Sequence, residues 1–286
     1  MLGALMQKAT ARICVVLLAC LFASPSLAAE GPWSTKEHSK IRVVALGPSP
    51  EDPEAYILGI HIQLQQGWET YWRTPGDAGV PPDFAFDDTE NVDELYVDWP
   101  LPERKVSAGM ITYVYQDEVL LPVTVYPHEP KEPVKFRMKI TYAACREVCM
   151  LEEADLALDV MTTDRDPKLQ ALFDKHKSRM PILENTAELG VERVTAGTGP
   201  TGKPQVEIVA RASTAWVDPQ IIIEAQPGFA FRPATVYPTS DGKRIVLRSE
   251  YTNAEGKLLQ QGETVVVTVY DKKRAIERVM LVYPPE

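Results

Sequence analysis

Basic residues are in short supply: the 286-residue chain carries 30 Lys and Arg against 40 Asp and Glu, a net charge of −10. Such a surface repels polyphosphate, which argues against nucleic acid as a partner. Histidine is scarcer still, four in all, and none sits at an interval typical of metal ligands. Amphipathic helical periodicity is missing from most of the chain, so a layered α/β architecture has nothing to build from. Long apolar runs are missing beyond the first thirty residues, and no later segment is apolar enough to span a bilayer. Cysteine is limited to four, and Cys14 and Cys20 both lie in that opening segment.

The opening segment reads as a secretory signal peptide, residues 1–28. Lys8 and Arg12 precede a short apolar stretch, and small residues fit cleavage after Ala28. Lipid anchoring at Cys20, in the sequence LLAC, is the minor alternative. Export implies the periplasm, where disulfides form and persist. Cleavage leaves 28 basic against 40 acidic residues, a net charge of −12. It also leaves only Cys145 and Cys149, which can pair with each other or with a partner.

What is present is strand-like. YILGIHIQL, from Tyr56 to Leu64, places Tyr56, Leu58, Ile60, Ile62 and Leu64 on one face, and KFRMKITY alternates through Phe136, Met138, Ile140 and Tyr142. Further strands are expected at 94–97, 119–125 and 156–160. Pro122 within VLLPVTV predicts an edge strand, a bulge or a strand start. DRDPKLQALFDKHKSRM supplies one helix, capped by Asp166, begun by Pro167 and apolar through Leu169, Leu172, Phe173 and Met180. VTAGTGPTGKP, residues 194–204, reads as a linker. A second β-rich unit follows, with strands at 206–212, 220–225, 244–249, 263–270 and 275–283, and tight turns at Asp241-Gly242 and Glu255-Gly256. The expected organisation is all-β: one sandwich at 38–163, a short helix and linker at 164–204, and a second small β-sandwich at 205–286.

The sequence YAACREVCM holds the two remaining cysteines four residues apart. Four residues of straight strand span roughly 13 Å, too far for a disulfide, so a bonded CREVC must curl into a turn or a single helical coil. A bond closing so short a ring removes little unfolded-chain entropy, which makes it a poor staple and favours a redox role. An inert disulfide and a metal site remain as rivals. The metal version would join Cys145, Cys149 and Met150 as a soft set for Cu(I), with Met110 as a fourth ligand if folding brought it near. Two other stretches carry unusual residues. In QGWETYWRTPGDAGVPP, Trp68, Tyr71 and Trp72 are bulky enough to line a cleft or shield sulfur, and Arg73 could bridge carboxylates. In ITYVYQDEV, strand alternation puts Tyr113, Tyr115 and Asp117 on one face, where Asp117 and Glu118 could relay protons. For each aromatic the competing reading is core packing, and for the acids a solvated turn.

Taken in order, GWETYWRTPGDAGVPPDFAF, NVDELYVDWPLPER, YVYQDEVLLPVTV and ITYAACREVCMLEEADLAL resemble the periplasmic N-terminal domain of the transmembrane thiol:disulfide interchange proteins, including their copper-tolerance branch. The resemblance covers roughly residues 59–158. It implies an immunoglobulin-like sandwich, followed in the copper-tolerance branch by a second β domain. It also implies that Cys145 and Cys149 form a redox pair, with no cofactor, which takes electrons from a membrane-embedded thiol reductase and passes them to periplasmic thioredoxin-like proteins. Two departures stand out. KVSAGMITY replaces the family's acidic-aromatic cap, so shielding is expected from Met110 or from the Trp68–Trp72 region. The membrane and thioredoxin-like domains do not follow, so a separate membrane partner, or use as a stand-alone adaptor, is expected.

Overall fold

The structure, a computed structural model, describes residues 29–107, 109–161 and 167–285. The expected signal peptide, Cys14, Cys20 and the helix cap Asp166 lie outside the described residues. The first half of the chain forms β1 (Ser34–Thr35), β2 (Ser39–Pro48), β3 (Tyr56–Leu64), β4 (Glu69–Gly76), β5 (Asp83–Ala85) and β6 (Glu94–Val97), then β7 (Glu103–Ser107), β8 (Met110–Gln116), β9 (Glu118–Tyr126), β10 (Val134–Cys145) and β11 (Cys149–Val160). One sheet has the order β1-β2-β3-β9-β6, and the other β11-β10-β4-β8-β7 with β5 added to β10. Between them lies a core that takes Leu58, Ile60 and Ile62 from β3, Leu121 and Val123 from β9, Trp72 from β4 and Phe136, Ile140 and Tyr142 from β10. The alternation in YILGIHIQL is thus the alternation of a core-facing strand.

The other face of β3 is buried as well, because the helix α1 (Pro167–Lys177) lies over it. Leu169, Leu172 and Phe173 pack there against Val44, Leu46, Ile57 and Leu120. Met180, expected on the same apolar side, falls beyond the helix end. Pro122 corrects a second expectation, since β9 is an interior strand with Pro122 opposite Gly59. On its other side β6 ends at Val97, and the Pro122 carbonyl accepts from Asp98 N–H instead. A residue's N–H and C=O point to the same neighbour in an antiparallel ladder, so the missing donor faces the place where pairing has already stopped.

The second half forms β12 (Leu189–Thr198), β13 (Pro204–Ala212), β14 (Gln220–Glu224), β15 (Phe229–Phe231), β16 (Thr235–Pro238), β17 (Arg244–Asn253), β18 (Thr264–Tyr270) and β19 (Ala275–Tyr283). They pair in the order β14-β18-β19-β12-β13-β17-β15, with β16 on β17. Ile223 near one end and Leu247 near the other share one core, so the sheet curls over itself in a sandwich-like way. The expected linker at 194–204 is instead the second half of β12 and the turn into β13. Val191 and Val194 of β12 are fully buried, which its Gly- and Thr-rich composition disguises.

The two halves pack directly. Ile222 of β14 is buried in the first core. Arg73 donates to both carboxylate oxygens of Glu224, at 3.0 and 2.5 Å, and to Glu277 at 2.6 Å. Thr74 adds a 2.5 Å bond to Glu224. Arg73 therefore bridges carboxylates as its sequence context suggested, across the contact between the halves. Among the described residues no helix is long and apolar enough to cross a membrane.

His176, near the end of α1, is 2% exposed, and neither ring nitrogen has a hydrogen-bond partner. Burial, aided by Lys175, Arg179 and His61 and opposed by Glu118, lowers its pKa from 6.5 to about 4. His61 beside it is also lowered by burial, although its Nε2 meets Glu118 at 2.9 Å. The unfolded chain therefore binds protons more readily, so stability is full above pH 6.5 and falls as pH drops from 6.5 towards 4. The His176 share of that loss amounts to about 3 kcal/mol. Urea unfolding at pH 7 and pH 4.5 is expected to show a much smaller acid loss for His176→Leu than for the parent protein. Equal losses would show that the helix docks independently of this proton.

Candidate functional site

Cys145 ends β10 and Cys149 begins β11, directly opposite each other across a three-residue loop, Arg146-Glu147-Val148. Their sulfurs are bonded at 2.05 Å with Cα atoms 4.1 Å apart. Arg146 N–H donates to the Val148 carbonyl at 3.1 Å, so the curl that the spacing demanded is a tight hairpin turn. The two sulfurs differ in access. Cys145 is 2% exposed, whereas Cys149 stands at the open sheet edge and is exposed.

Cross-strand partners share a sheet face, which fixes what surrounds the bond. Cys145 also lies opposite Glu69, and Glu69 opposite Gln116. Tyr71, two residues after Glu69, is on the same face and packs with Val114, Ala143 and Cys145. Its hydroxyl lies 3.8 Å from Cys149 Sγ. Burial, with the Glu69 carboxylate adding and Lys105 opposing, raises the Tyr71 pKa, so the phenol keeps its proton as a donor. Gly79 holds the ring in place from behind. Its φ is +112°, and a Cβ there would fall 2.3 Å from the Tyr71 ring.

Glu69 is the member of the site that residue-by-residue reading passed over. It is 8% exposed and forms an ion pair with Lys105 of β7. The signal available in ETYW was its spacing of two from Tyr71, which puts both on the disulfide face.

The same alternation removes other candidates. Trp72, Tyr113 and Tyr115 face the opposite side, into the first core. Tyr113 lies edge-on to Trp72 with ring centroids 6.2 Å apart, and the Tyr115 hydroxyl donates to the Pro100 carbonyl at 2.6 Å. Trp68 precedes β4 and stacks on His38 at 3.8 Å. Asp117 does not continue the strand face of the two tyrosines. It occupies the turn between β8 and β9 with φ 60°, and its side chain is exposed. Glu118 belongs to the other sheet, where it accepts from Gln63 at 2.7 Å and meets His61 at 2.9 Å.

Met110 is corrected by register. It shares the disulfide face but begins β8, while Gln116, in line with Cys145, ends it. Six residues of strand separate them by about 20 Å, so Met110 can neither shield the sulfurs nor join them as a ligand. Met150 pairs with Ala144, so alternation turns it away from the sulfur face. Among the described residues no three His, Cys, Asp or Glu side chains gather as a metal site.

Comparison with known proteins agrees with this geometry. Residues 44–160 match the family model described as thiol:disulfide interchange protein DsbD, N-terminal, and residues 179–284 match a domain of unknown function, DUF8393. A solved structure, the N-terminal periplasmic domain of ScsB from Proteus mirabilis, superposes with a TM-score of 0.68 at 20% identity, covering 90% of this chain and 99% of that one. No curated protein gives a significant sequence match.

Two substitutions probe the supports. Tyr71→Phe removes the hydroxyl that would donate to a Cys149 thiolate, and is expected to move the alkylation of that thiol to higher pH. The pH profile of iodoacetamide alkylation of the reduced protein measures it, and an unmoved profile would mean the hydroxyl does not reach the sulfur. Gly79→Ala forces a methyl into the Tyr71 ring at a left-handed backbone position. An unfolding free energy lowered by at least about 1 kcal/mol is expected from denaturant titration.

Proposed function

We propose that this chain exchanges electrons in the periplasm through Cys145 and Cys149, a reading supported by the match of residues 44–160 to the family model of the DsbD N-terminal domain. The observation that carries the reading is the unequal exposure of two bonded sulfurs: an attacking thiolate reaches Cys149 and not Cys145. The donor in this reading is a membrane-embedded thiol reductase, and the acceptors are thioredoxin-like proteins.

On reduction, a donor thiolate attacks Cys149 Sγ along the open edge. A mixed disulfide forms, the Cys145–Cys149 bond breaks, and Cys145 leaves with the electron pair and takes a proton. The donor's second thiol then attacks its own sulfur in the mixed disulfide and releases Cys149 as a thiolate, so two electrons have moved and the donor is oxidised. Delivery runs the same chemistry in reverse. Cys149 attacks an acceptor disulfide, and Cys145 resolves the adduct by intramolecular attack, fast because the two positions are opposite each other in the hairpin. Tyr71 steadies the Cys149 thiolate between the two steps. Arg146 in the loop contributes little bias, since Glu147 lies 3.9 Å from it.

Trapping separates the roles. Cys145→Ala leaves the exposed Cys149 without its resolving partner and is expected to accumulate a mixed disulfide with an oxidised thioredoxin-like protein. Cys149→Ala leaves only the buried sulfur and is expected to trap far less. If neither single-cysteine protein forms an adduct under conditions that trap a known exchanger, the electron-carrier role is wrong. Equal trapping by both would overturn the assignment of Cys149 as the attacking sulfur.

A further inference from the structure

Next to the Arg73 bridge, a cleft opens between the two halves of the molecule, floored by Ile111 and Tyr113 from the first and by Phe229 and Phe231 from the second. Its floor is preformed. Phe229 and Phe231 lie nearly parallel with centroids 6.4 Å apart, and each ring rests 5.7 Å from Tyr251. Arg104 and Arg232 line the same cleft. Arg104 sits opposite Tyr113 in the β7–β8 pair and so shares its face. The backbone of Arg232 is tied down at both ends: its N–H donates to the Glu250 carbonyl at 2.8 Å, and its carbonyl accepts from Ser249 Oγ at 2.6 Å.

Acids outnumber bases 40 to 30 in this chain, and elsewhere guanidinium groups find carboxylates readily. Arg42 takes Glu30, Arg137 takes Asp159, Arg244 takes Glu192 and Arg248 takes Glu207. Among the described residues neither Arg104 nor Arg232 has a carboxylate within ion-pair distance. Asp77 borders the cleft, but its carboxylate accepts the Ile111 N–H at 2.8 Å. Two arginines with no carboxylate partner, in an acid-rich protein, therefore line one cleft together with an aromatic pair, at a contact between domains, where ligand sites concentrate.

We propose that this cleft binds a carboxylate carried on an apolar, aromatic body, with the anion held between Arg104 and Arg232 and the body on Phe229 and Phe231. The site stands apart from the disulfide and does not depend on the exchange reading. Two sources present such a group: a free aromatic acid, and the C-terminal carboxylate of a peptide ending in an aromatic residue.

The test is titration of the ¹⁵N-labelled full chain, followed by amide shifts, with 3-phenylpropanoate, with 3-phenylpropanamide and with a tetrapeptide ending in phenylalanine, as the free acid and as the amide. Saturable shifts are expected at Ile111, Ala230 and Phe231 with an acid and not with its amide. Arg104→Gln and Arg232→Gln are each expected to weaken binding about tenfold or more, since each removes a charge-assisted contact. Both arginines are exposed, so thermal unfolding of the variants is expected to match the parent and serves as the control for folding. Binding by the peptide acid alone would support the site and assign it to a chain terminus; binding by 3-phenylpropanoate would support it as a small-molecule site. Equal binding of acid and amide, indifference to both substitutions in folded protein, or no saturable shift with either acid up to about 10 mM would overturn the proposal.

Discussion

Hydrogen-bonded between β10 and β8, strand β4 sends Tyr71 to the disulfide face of its sheet and Trp72 into the core between sheets, while Arg73 reaches the second half of the molecule. Period-two geometry makes these assignments jointly. A one-residue slip would put Trp72 against the sulfurs and bury the Tyr71 hydroxyl in apolar surroundings. The slip is opposed from both sides: Trp72 is 1% exposed within the core, and its ring carries the Arg73 guanidinium 4.3 Å from its centroid. Position of the redox face, integrity of the core and docking of the second half thus rest on one register.

The Arg73 bridge is the costliest part of this arrangement to disturb. Glu224 and Glu277 are each 15% exposed and share a single guanidinium that is itself 24% exposed. Desolvating three charges consumes much of their attraction, so the cluster is weak evidence for net stability. Removing its cation is a different matter, because two half-buried carboxylates would then face each other with no compensating charge. The cluster works best as a specificity device that admits one relative placement of the halves. That placement also holds the two sides of the neighbouring cleft in register.

Much of the architecture was legible because it follows from local pattern. YILGIHIQL is β3 to the residue, and the demand that CREVC curl came from spacing and chain reach alone. The failures share a cause, which is that neighbours across a sheet are invisible along the chain. Met110 looked near the cysteines because no sequence rule says which end of β8 lines up with Cys145. Pro122 looked like an edge marker because the early end of β6 cannot be read from β9. Residues 194–204 looked like a linker because glycine and threonine signal loops, whereas β13 on one side and β19 on the other supply the pairing that makes β12 a strand. Glu69 was missed for the same reason. Its spacing from Tyr71 places it on a face, but its meaning lies in a cross-strand partner and a distant lysine that the segment does not name.

The hairpin would let one fold hold the sulfur pair either bonded, as here, or free. The β10–β11 ladder runs from Val134 opposite Val160 to Cys145 opposite Cys149 without a shift of register, and the disulfide is only its last rung. A ring of five residues contributes about 2 kcal/mol by loop entropy, against nearly 5 for a hundred-residue loop. Opening the bond therefore removes a small constraint from a strand pair already fixed by its other rungs and by the core beneath. Little of the molecule has to reorganise if the bond opens. The groups that face the sulfurs are the Tyr71 hydroxyl, 3.8 Å from Cys149 Sγ, and the Glu69 carboxylate, in line with Cys145 and paired with Lys105. One exposed sulfur bonded to one buried sulfur is the asymmetry on which the proposed two-step exchange rests.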